Sequence, residues 1–167
     1  ESNGGTDWQD VIFRTAIGQE HKVNVSGGGE KTSYLVSGNY IDSKGIIENS
    51  DFKRYGIRSN ISSEINDNLS IGVNISGTRL ENHNTGLQSG ASNPVVQALA
   101  WAPTTAVYDE NGNYILSDPV GSFTYSPAAL LYERNNDNQR NIANIIANVN
   151  YKLPIEGLSL YLNYAVN

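Results

Sequence analysis

The sequence predicts an all-β chain, an antiparallel meander of about six strands interrupted by one long loop. Two observations support this fold class. Apolar and polar residues alternate with period two in segment after segment, which is typical of strands that cover something apolar with one face only. The connections between these segments differ greatly in length, and the longest of them covers residues 82–138.

The first four predicted strands lie within residues 20–81. Val23 and Val25 begin the pattern, and polar residues separate them. In the next three strands apolar residues recur at alternate positions, first at Tyr34, Val36 and Tyr40, then at Tyr55, Ile57 and Ile61, then at Leu69, Ile71, Val73 and Ile75. Such strict alternation assigns one set of side chains to each face of a sheet.

Two further strands are predicted in residues 139–167. Their alternating apolar positions are Ala143, Ile145, Ala147, Val149 and Tyr151 in one and Leu158, Leu160, Leu162 and Tyr164 in the other. The predicted turns at 27–32, 66–68 and 154–157 are short, whereas the connections at 43–51 and 82–138 are longer. Short and long connections therefore fall on opposite ends of the meander.

This asymmetry is the pattern of outer-membrane barrels, which have tight periplasmic turns and extended extracellular loops. The sheet is then a partial wall of a transmembrane β-barrel, because about eight strands are needed to close one. The alternative is a soluble β-sandwich that displays the long loop to a glycan. In a barrel the apolar residues face lipid, whereas in a sandwich they interdigitate between two sheets.

The polar face of the strands holds candidates for the interior of such a barrel. Arg54, Arg58, Asn60 and Asn74 share the polar parity of their strands, and Arg79 is assigned to the same face. In a barrel wall they face the lumen, where the arginines can pair with carboxylates of an internal plug. On a soluble sheet they are simply solvated.

The long loop contains two predicted local elements. Asn93 and Pro94 precede an apolar run that ends before Pro103, which predicts a short helix. Asn111-Gly112 between apolar pairs predicts a hairpin turn. The spacing of Asp109, Asn111 and Asn113 also imitates the opening of a calcium loop, but the closing glutamate is missing.

Four aromatic residues of the loop are candidates for contact with a substrate or partner. They are Trp101, Tyr108, Tyr114 and Tyr125. Aromatic rings stack well on the apolar faces of sugars. The alternative is that these rings form the small core that a loop of this length needs to hold a shape.

Composition argues against several other functions. The formal net charge of -6 disfavours a nucleic-acid partner. The chain has no cysteine, and His21 and His83 lie far apart without a zinc or triad motif around them. We therefore expect neither a catalytic residue nor a metal site nor a cofactor, and the chain is predicted not to be an enzyme.

Four strings resemble the SusC/RagA branch of the TonB-dependent receptors. They lie at 6–16 (TDWQDVIFRTA), 23–34 (VNVSGGGEKTSY), 45–55 (GIIENSDFKRY) and 107–114 (VYDENGNY). Their order and spacing resemble the early barrel region of that family, and the resemblance covers nearly the whole chain.

The resemblance implies a slice of an outer-membrane importer of the kind typical of Bacteroidetes. Such importers take up oligosaccharides or peptides with a SusD-like surface lipoprotein. TonB drives them through a plug segment that is absent from residues 1–167. Residues 1–19 are then the end of an extracellular loop, 20–81 and 139–167 hold four and two barrel strands in contact with lipid, and 82–138 is a long extracellular loop.

Overall fold

The computed structural model describes residues 4–84, 90–117, 125–134 and 136–167. Six strands form one antiparallel sheet in the order β1-β2-β3-β4-β5-β6. They are β1 (Gly18–Gly28), β2 (Thr32–Lys44), β3 (Asp51–Asn66), β4 (Leu69–His83), β5 (Asp137–Lys152) and β6 (Ser159–Val166). Each strand pairs with its neighbours in the sequence, so the predicted six-stranded meander is confirmed.

The register between β5 and β6 shows how the alternation is used. Val149 lies opposite Leu162 and Tyr151 lies opposite Leu160, so apolar side chains face each other across the strands. The intervening pair is Asn150 and Tyr161, on the other face of the sheet. A shift of one residue would bring apolar side chains opposite polar ones, and the alternation therefore fixes the register.

The short turns are held by local hydrogen bonds. The amide of Gly29 donates to the carbonyl of Thr32 at 2.8 Å and closes the β1–β2 turn. The side-chain oxygen of Asn66 accepts from the amides of Asn68 and Leu69 at 3.0 and 2.9 Å in the β3–β4 turn. Gly157 adopts a φ of 78° in the β5–β6 turn, a conformation that favours glycine.

The chain forms two compact units. The sheet unit consists of Gln19–Asp42, Lys53–Leu80 and Gln139–Asn167. The loop unit consists of Glu1–Gly18, Ser43–Phe52 and Glu81–Asn138. The loop unit thus joins three stretches that are far apart in the sequence.

Three short helices belong to the loop unit: α1 (Trp8–Ile12), α2 (Pro94–Ala100) and α3 (Pro127–Tyr132). Side-chain oxygens of Asp7, Asn93 and Ser126 accept from backbone amides at their first turns, as N-cap residues do. Helix α2 confirms the predicted short helix after Asn93. Helix α3 was not predicted. Within the described ranges, no helix combines the length and the apolar character needed to cross a membrane.

The core of the loop unit is built from the three helices and the β2–β3 connection. Its buried members are Trp8, Ile12, Ile47, Ala98, Trp101, Ala128 and Leu131. The rings of Trp8 and Trp101 meet edge to face, with centroids 5.2 Å apart. The indole of Trp8 also donates to the carbonyl of Ala102 at 3.1 Å, so this large ring is both packed and hydrogen-bonded.

Candidate functional site

One face of the sheet, here called the apolar face, presents aliphatic and tyrosine side chains that remain exposed. Ile57 is 61% exposed and Leu162 is 56% exposed. Further exposed members are Val23, Val25, Tyr34, Val36, Tyr55, Ile61, Ile71, Ile75, Ile145, Tyr151, Leu160 and Tyr164. The described strands form a single sheet, so nothing in them covers this face. This arrangement lacks the second sheet that the β-sandwich alternative requires.

The other face, here called the polar face, carries amides, hydroxyls and glycines. Asn60 and Asn74 line a shallow groove together with Asn148. The amide of Asn148 lies directly over Gly72, where a Cβ would meet its side-chain oxygen at 2.5 Å. On neighbouring strands, Asn144 Nδ2 donates to Ser76 Oγ at 3.4 Å. The amides and hydroxyls of this groove can hydrogen-bond to water or to another polar surface, and Leu35 lies among them.

Arg54 and Arg58 belong to β3, on the same parity as Gly56 and Asn60. Gly56 faces the same side of the sheet as the side chain of Asn39 in β2, because a Cβ built on Gly56 would collide with the side-chain oxygen of Asn39. Arg54 and Arg58 therefore lie on that side as well. Both arginines are exposed. The prediction that Arg79 lies on this face is wrong, because Arg79 has the parity of Ile75 and lines a depression of the apolar face. Arg54, Arg58, Asn60 and Asn74 share the polar face of the sheet. That this face lines a lumen stays a prediction.

The hairpin predicted at Asn111-Gly112 is present in the loop unit. Tyr108 and Tyr114 form an antiparallel bridge, and Gly112 has a φ of 82°. Asp109 organises the turn, since its Oδ1 accepts from the amides of Asn111 and Asn113 at 2.9 Å each. These hydrogen bonds, led by the one from Asn113, lower the pKa of the Asp109 carboxyl. The carboxylate thus stabilises the turn by accepting backbone hydrogen bonds.

The structure identifies no group of metal-ligating side chains within its described residues. The carboxylate of Asp109 accepts hydrogen bonds within its own turn. The two histidines contact different residues. His21 stacks near Tyr40, with ring centroids 6.2 Å apart. His83 Nδ1 contacts the carboxylate of Asp137.

Three tyrosines of the loop unit form an aromatic stack, here called the tyrosine stack. The rings of Tyr108 and Tyr114 lie 5.0 Å apart, and those of Tyr114 and Tyr132 lie 5.6 Å apart at an interplanar angle of 2°. Burial, followed by a hydrogen bond with Tyr108, raises the pKa of Tyr114 to about 12. Burial also raises the pKa of Tyr132. The phenols of Tyr114 and Tyr132 are therefore neutral hydrogen-bonding groups at physiological pH.

The predicted aromatic site residues lie in different surroundings. Tyr108 and Tyr125 are about half exposed. Tyr114 is partly buried between its two stacking partners, and Trp101 is only 4% exposed in the core of the loop unit. Only Tyr108 and Tyr114 are brought together in the described structure. Contact of these four residues with a substrate or partner stays a prediction.

Sequence reasoning missed Arg14, which organises the loop unit. Its guanidinium donates to the carbonyls of Gly45 and Ser50 at 3.0 and 2.6 Å. It also forms an ion pair with Glu48 at 3.2 Å. A further contact in the same region comes from Asn49 Nδ2, which donates to the carbonyl of Leu131 at 2.7 Å. No local sequence pattern predicts the residues that Arg14 contacts, because they lie more than thirty residues away in the sequence.

Sequence comparison finds curated relatives among the TonB-dependent receptors. The chain is 30% identical over 133 residues to TonB-dependent receptor P3 of Formosa agariphila, which is 77% of this chain and 13% of the relative. It is 37% identical over 110 residues to TonB-dependent receptor SusC of Bacteroides thetaiotaomicron, which is 65% of this chain and 11% of the relative. No protein-family model matches the chain.

Structural comparison agrees with these relatives. The RagAB peptide transporter superposes with a TM-score of 0.74 and 25% sequence identity, over 95% of this chain and 18% of that one. The "closed-closed" state of the RagAB peptide importer gives the same TM-score and identity. The chain spans little more than a tenth of the length of the curated relatives. It is a distant member of the SusC/RagA type of TonB-dependent receptor, an outer-membrane family, and it corresponds to a small part of such a protein.

Proposed function

We propose that the chain supplies one arc of the barrel wall and one large extracellular loop of an outer-membrane nutrient importer. The observation that carries the proposal is a single meander sheet whose apolar face has many exposed side chains while its other face is mainly polar. In water, an exposed apolar surface of this extent is unfavourable, but in a barrel wall it contacts lipid. The two curated relatives and the RagAB match support the same assignment.

The orientation follows from the connections. We assign the short β1–β2, β3–β4 and β5–β6 turns to the periplasmic side. The β2–β3 connection and residues 82–138 are then extracellular, together with 1–19. Tyr40 and Tyr55 lie at the extracellular ends of their strands, where the aromatic girdle of such barrels sits.

The polar face lines the barrel interior in this proposal. Asn60 and Asn74 offer amide groups to a plug or to water, and Arg54 and Arg58 offer positive charge. Guanidinium groups on the inner wall can pair with carboxylates of the plug, which holds the plug in register. TonB would act on that plug through a segment outside residues 1–167.

The loop unit is the part of the chain that we assign to recognition. Tyr108 and Tyr125 are exposed and present aromatic surface, Tyr114 supports Tyr108 from behind, and Trp101 fixes the unit that carries them. We assign the cargo to peptides or oligosaccharides, and the partner to a SusD-like surface lipoprotein. The match to a peptide transporter supports the peptide class, and the match to SusC supports membership of the same importer branch.

The test uses the full-length receptor, tagged in its chromosomal gene. Envelope fractions are separated, and the receptor is purified in mild detergent together with any surface lipoprotein. We expect it in the outer membrane, as a folded barrel that migrates faster before boiling than after. Recovery in the soluble fraction, or a protein without this heat-dependent shift, would refute the barrel-wall role.

The cargo is tested separately by deleting the gene and measuring uptake of labelled peptides and oligosaccharides. We expect uptake of one of these classes to be lost and to return with the wild-type gene. A variant with Tyr108→Ala and Tyr125→Ala should reduce the same uptake while the receptor level stays unchanged. Normal uptake of both classes in the deletion strain would contradict the importer assignment.

A further inference from the structure

The apolar face contains a depression beside Ile57, between β2 and β4. It is lined by His21, Val23, Gly38, Tyr40, Tyr55, Ile57, Gly77 and Arg79, all in the sheet unit, with backbone of their neighbours. Gly38 and Gly77 carry no side chain on this face, and the missing side chains create the space. Strands two apart in a sheet are separated by roughly 10 Å, which gives the depression the width of a groove.

Neither glycine is required by the backbone. Only Gly90, Gly112 and Gly157 among the described glycines have positive φ. A Cβ on Gly38 would come no closer than 4.0 Å to the carbonyl oxygen of Gly56. A Cβ on Gly77 would lie 3.4 Å from Cγ2 of Ile57, an ordinary van der Waals contact. Because glycine weakens a strand interior, its use at two sites that accept a side chain indicates that something approaches the sheet closely there.

Side chains with polar tips lie at one end of this groove, whose own lining surface is almost wholly apolar. His21, Tyr40, Tyr55 and Arg79 lie toward the β2–β3 connection. The rings of Tyr40 and Tyr55 are 5.1 Å apart, and the hydroxyl of Tyr40 donates to Asp42 at 3.2 Å. Away from this end the lining consists of aliphatic side chains and glycines. This gradient matches an amphipathic molecule that lies along the strands with its polar part at the tyrosines.

We propose that this groove binds one acyl chain of a phosphorylated glycolipid of the outer leaflet. The inference rests on the proposed function, which places the apolar face in lipid and the tyrosine end at the extracellular surface. The acyl chain contacts Val23, Ile57 and the bare backbone at the two glycines. The phosphate lies near the guanidinium of Arg79, which also interacts within its own chain, and sugar hydroxyls reach the tyrosine hydroxyls.

Charge and shape favour this occupant over a second protein. Arg79 supplies a cation on the apolar side of the sheet, and an arginine there is well suited to a phosphate at the membrane surface. An acyl chain fits the apolar lining of the groove, and its head group meets the polar tips of Tyr40, Tyr55 and Arg79 at one end only.

The experiment compares full-length receptors by native mass spectrometry in detergent, with purified lipid A as the probe and phosphatidylethanolamine as the competing lipid. The groove is filled in the double variant Gly38→Leu/Gly77→Leu. The matched control is Ala143→Leu, which adds the same side chain to the apolar face on β5. A third variant, Arg79→Gln, tests the phosphate contact.

We expect the wild-type receptor and the Ala143→Leu control to retain lipid A equally. The groove-filling variant should lower retention about tenfold, because the two leucine side chains occupy the space of the acyl chain. Arg79→Gln should remove the preference for lipid A over phosphatidylethanolamine.

Equal retention by all receptors would overturn the proposal, and so would a wild-type receptor without preference for lipid A. A change of the oligomeric state in the groove-filling variant alone would assign the groove to a second copy of the chain instead. Outer-membrane location and the heat-dependent shift are recorded for every variant. If these fail in the wild-type receptor, the barrel-wall role fails, whereas normal values with unchanged lipid retention refute the lipid site alone.

Discussion

Gly5 lies where the N-terminal segment passes close to Pro103 within the loop unit. The amide of Thr6 donates to the carbonyl of Pro103 at 2.7 Å, and a Cβ on Gly5 would collide with that same carbonyl oxygen. We expect Gly5→Ala to destabilise the loop unit by about 1–3 kcal/mol, because a backbone atom cannot move aside as a flexible side chain can.

The matched control is Gly4→Ala, since a Cβ at Gly4 meets no atom within 4 Å. Hydrogen exchange of the loop unit in the full-length receptor measures both variants. Faster exchange in Gly5→Ala alone supports the close approach. Equal exchange in the two variants would show that the segment moves freely enough to accept the extra carbon.

Tyr114 makes the stability of the loop unit dependent on alkaline pH. Its pKa is raised to about 12, with burial as the largest cause and the Tyr108 hydrogen bond next. In the unfolded chain a tyrosine ionises near 10. The native state therefore keeps its proton longer, and its extra stability is complete below about pH 10 and is lost as the pH rises through about 12.

The measurement is a phenolate absorbance titration of the full-length receptor, taken as the difference between wild type and Tyr114→Phe. We expect the Tyr114→Phe variant to lack one titration step near pH 12. We also expect the loop unit of this variant to lose less of its protection at alkaline pH than that of the wild type. Tyr125→Phe is the control, since this residue is exposed and lies outside the tyrosine stack. A step near pH 10 would show that Tyr114 is more solvated than its contacts indicate.

At the scale of single elements, the strands could be predicted because their signal is local. Alternation needs only neighbours in the sequence, and it placed all six strands in the correct order. The ends of the strands could be predicted less accurately from the sequence. Strand β4 continues through Arg79 to His83, where apolar alternation has stopped but the backbone still pairs. Backbone hydrogen bonds do not depend on side-chain polarity, so the pattern underestimates the length of such strands.

Helix α3 shows why one element was missed. Ser126 and Pro127 form a regular helix start, with the Ser126 hydroxyl near the amide of Ala129 at 3.4 Å. The following residues through Leu131 are all buried, so they carry no polar face and no helical periodicity. A short apolar run of this kind can be strand or helix, and only packing against α1 and α2 decides between them.

The two faces of β4 lead to opposite expectations for the same substitution. Ile75 is exposed on the apolar face near the middle of the strand, and its neighbour Asn74 lines the polar groove. If the apolar face contacts lipid, Ile75→Arg should destabilise the full-length receptor by about 2–4 kcal/mol. Asn74→Arg is the matched control at nearly the same depth, and we expect a much smaller loss.

Urea unfolding of the two variants in lipid vesicles, followed by the heat-dependent shift, gives the comparison. A large loss in Ile75→Arg alone supports lipid contact. If Asn74→Arg were the more harmful variant, the apolar face would be the inner one, and the assignment of Arg54, Arg58, Asn60 and Asn74 to the lumen would be reversed.

At the scale of the whole chain, the sheet was predictable, but the packing of the loop unit was not. The core of the loop unit joins Trp8, Ile47, Trp101 and Leu131, which come from three separated stretches of the sequence. Arg14 links two of these stretches by donating to the backbone carbonyls of Gly45 and Ser50, and a backbone carbonyl is present in every residue type. Long-range contacts of this kind depend on the tertiary fold, and no periodic pattern in a single sequence predicts them. For the same reason the sequence identified Tyr108 and Tyr114 but not their partner Tyr132.

The two edges of the sheet give the last prediction. Strands β1 and β6 each have a neighbour on one side only within this sheet, which leaves backbone groups on their outer edges unpaired. In lipid every such group must be satisfied, since water is not available there. We therefore expect β1 and β6 to gain further strand neighbours in the full-length receptor and to be as protected as the central strands β3 and β4.

Hydrogen exchange of the full-length receptor in lipid discs measures this protection strand by strand. Slow exchange along all six strands is the result expected of an arc within a closed barrel. The central strands serve as the internal reference, because their neighbours are present within this chain. Rapid exchange confined to β1 and β6, with β3 and β4 protected, would mean that the sheet keeps free edges. Such a sheet cannot span a bilayer, and the barrel-wall role would then have to be abandoned.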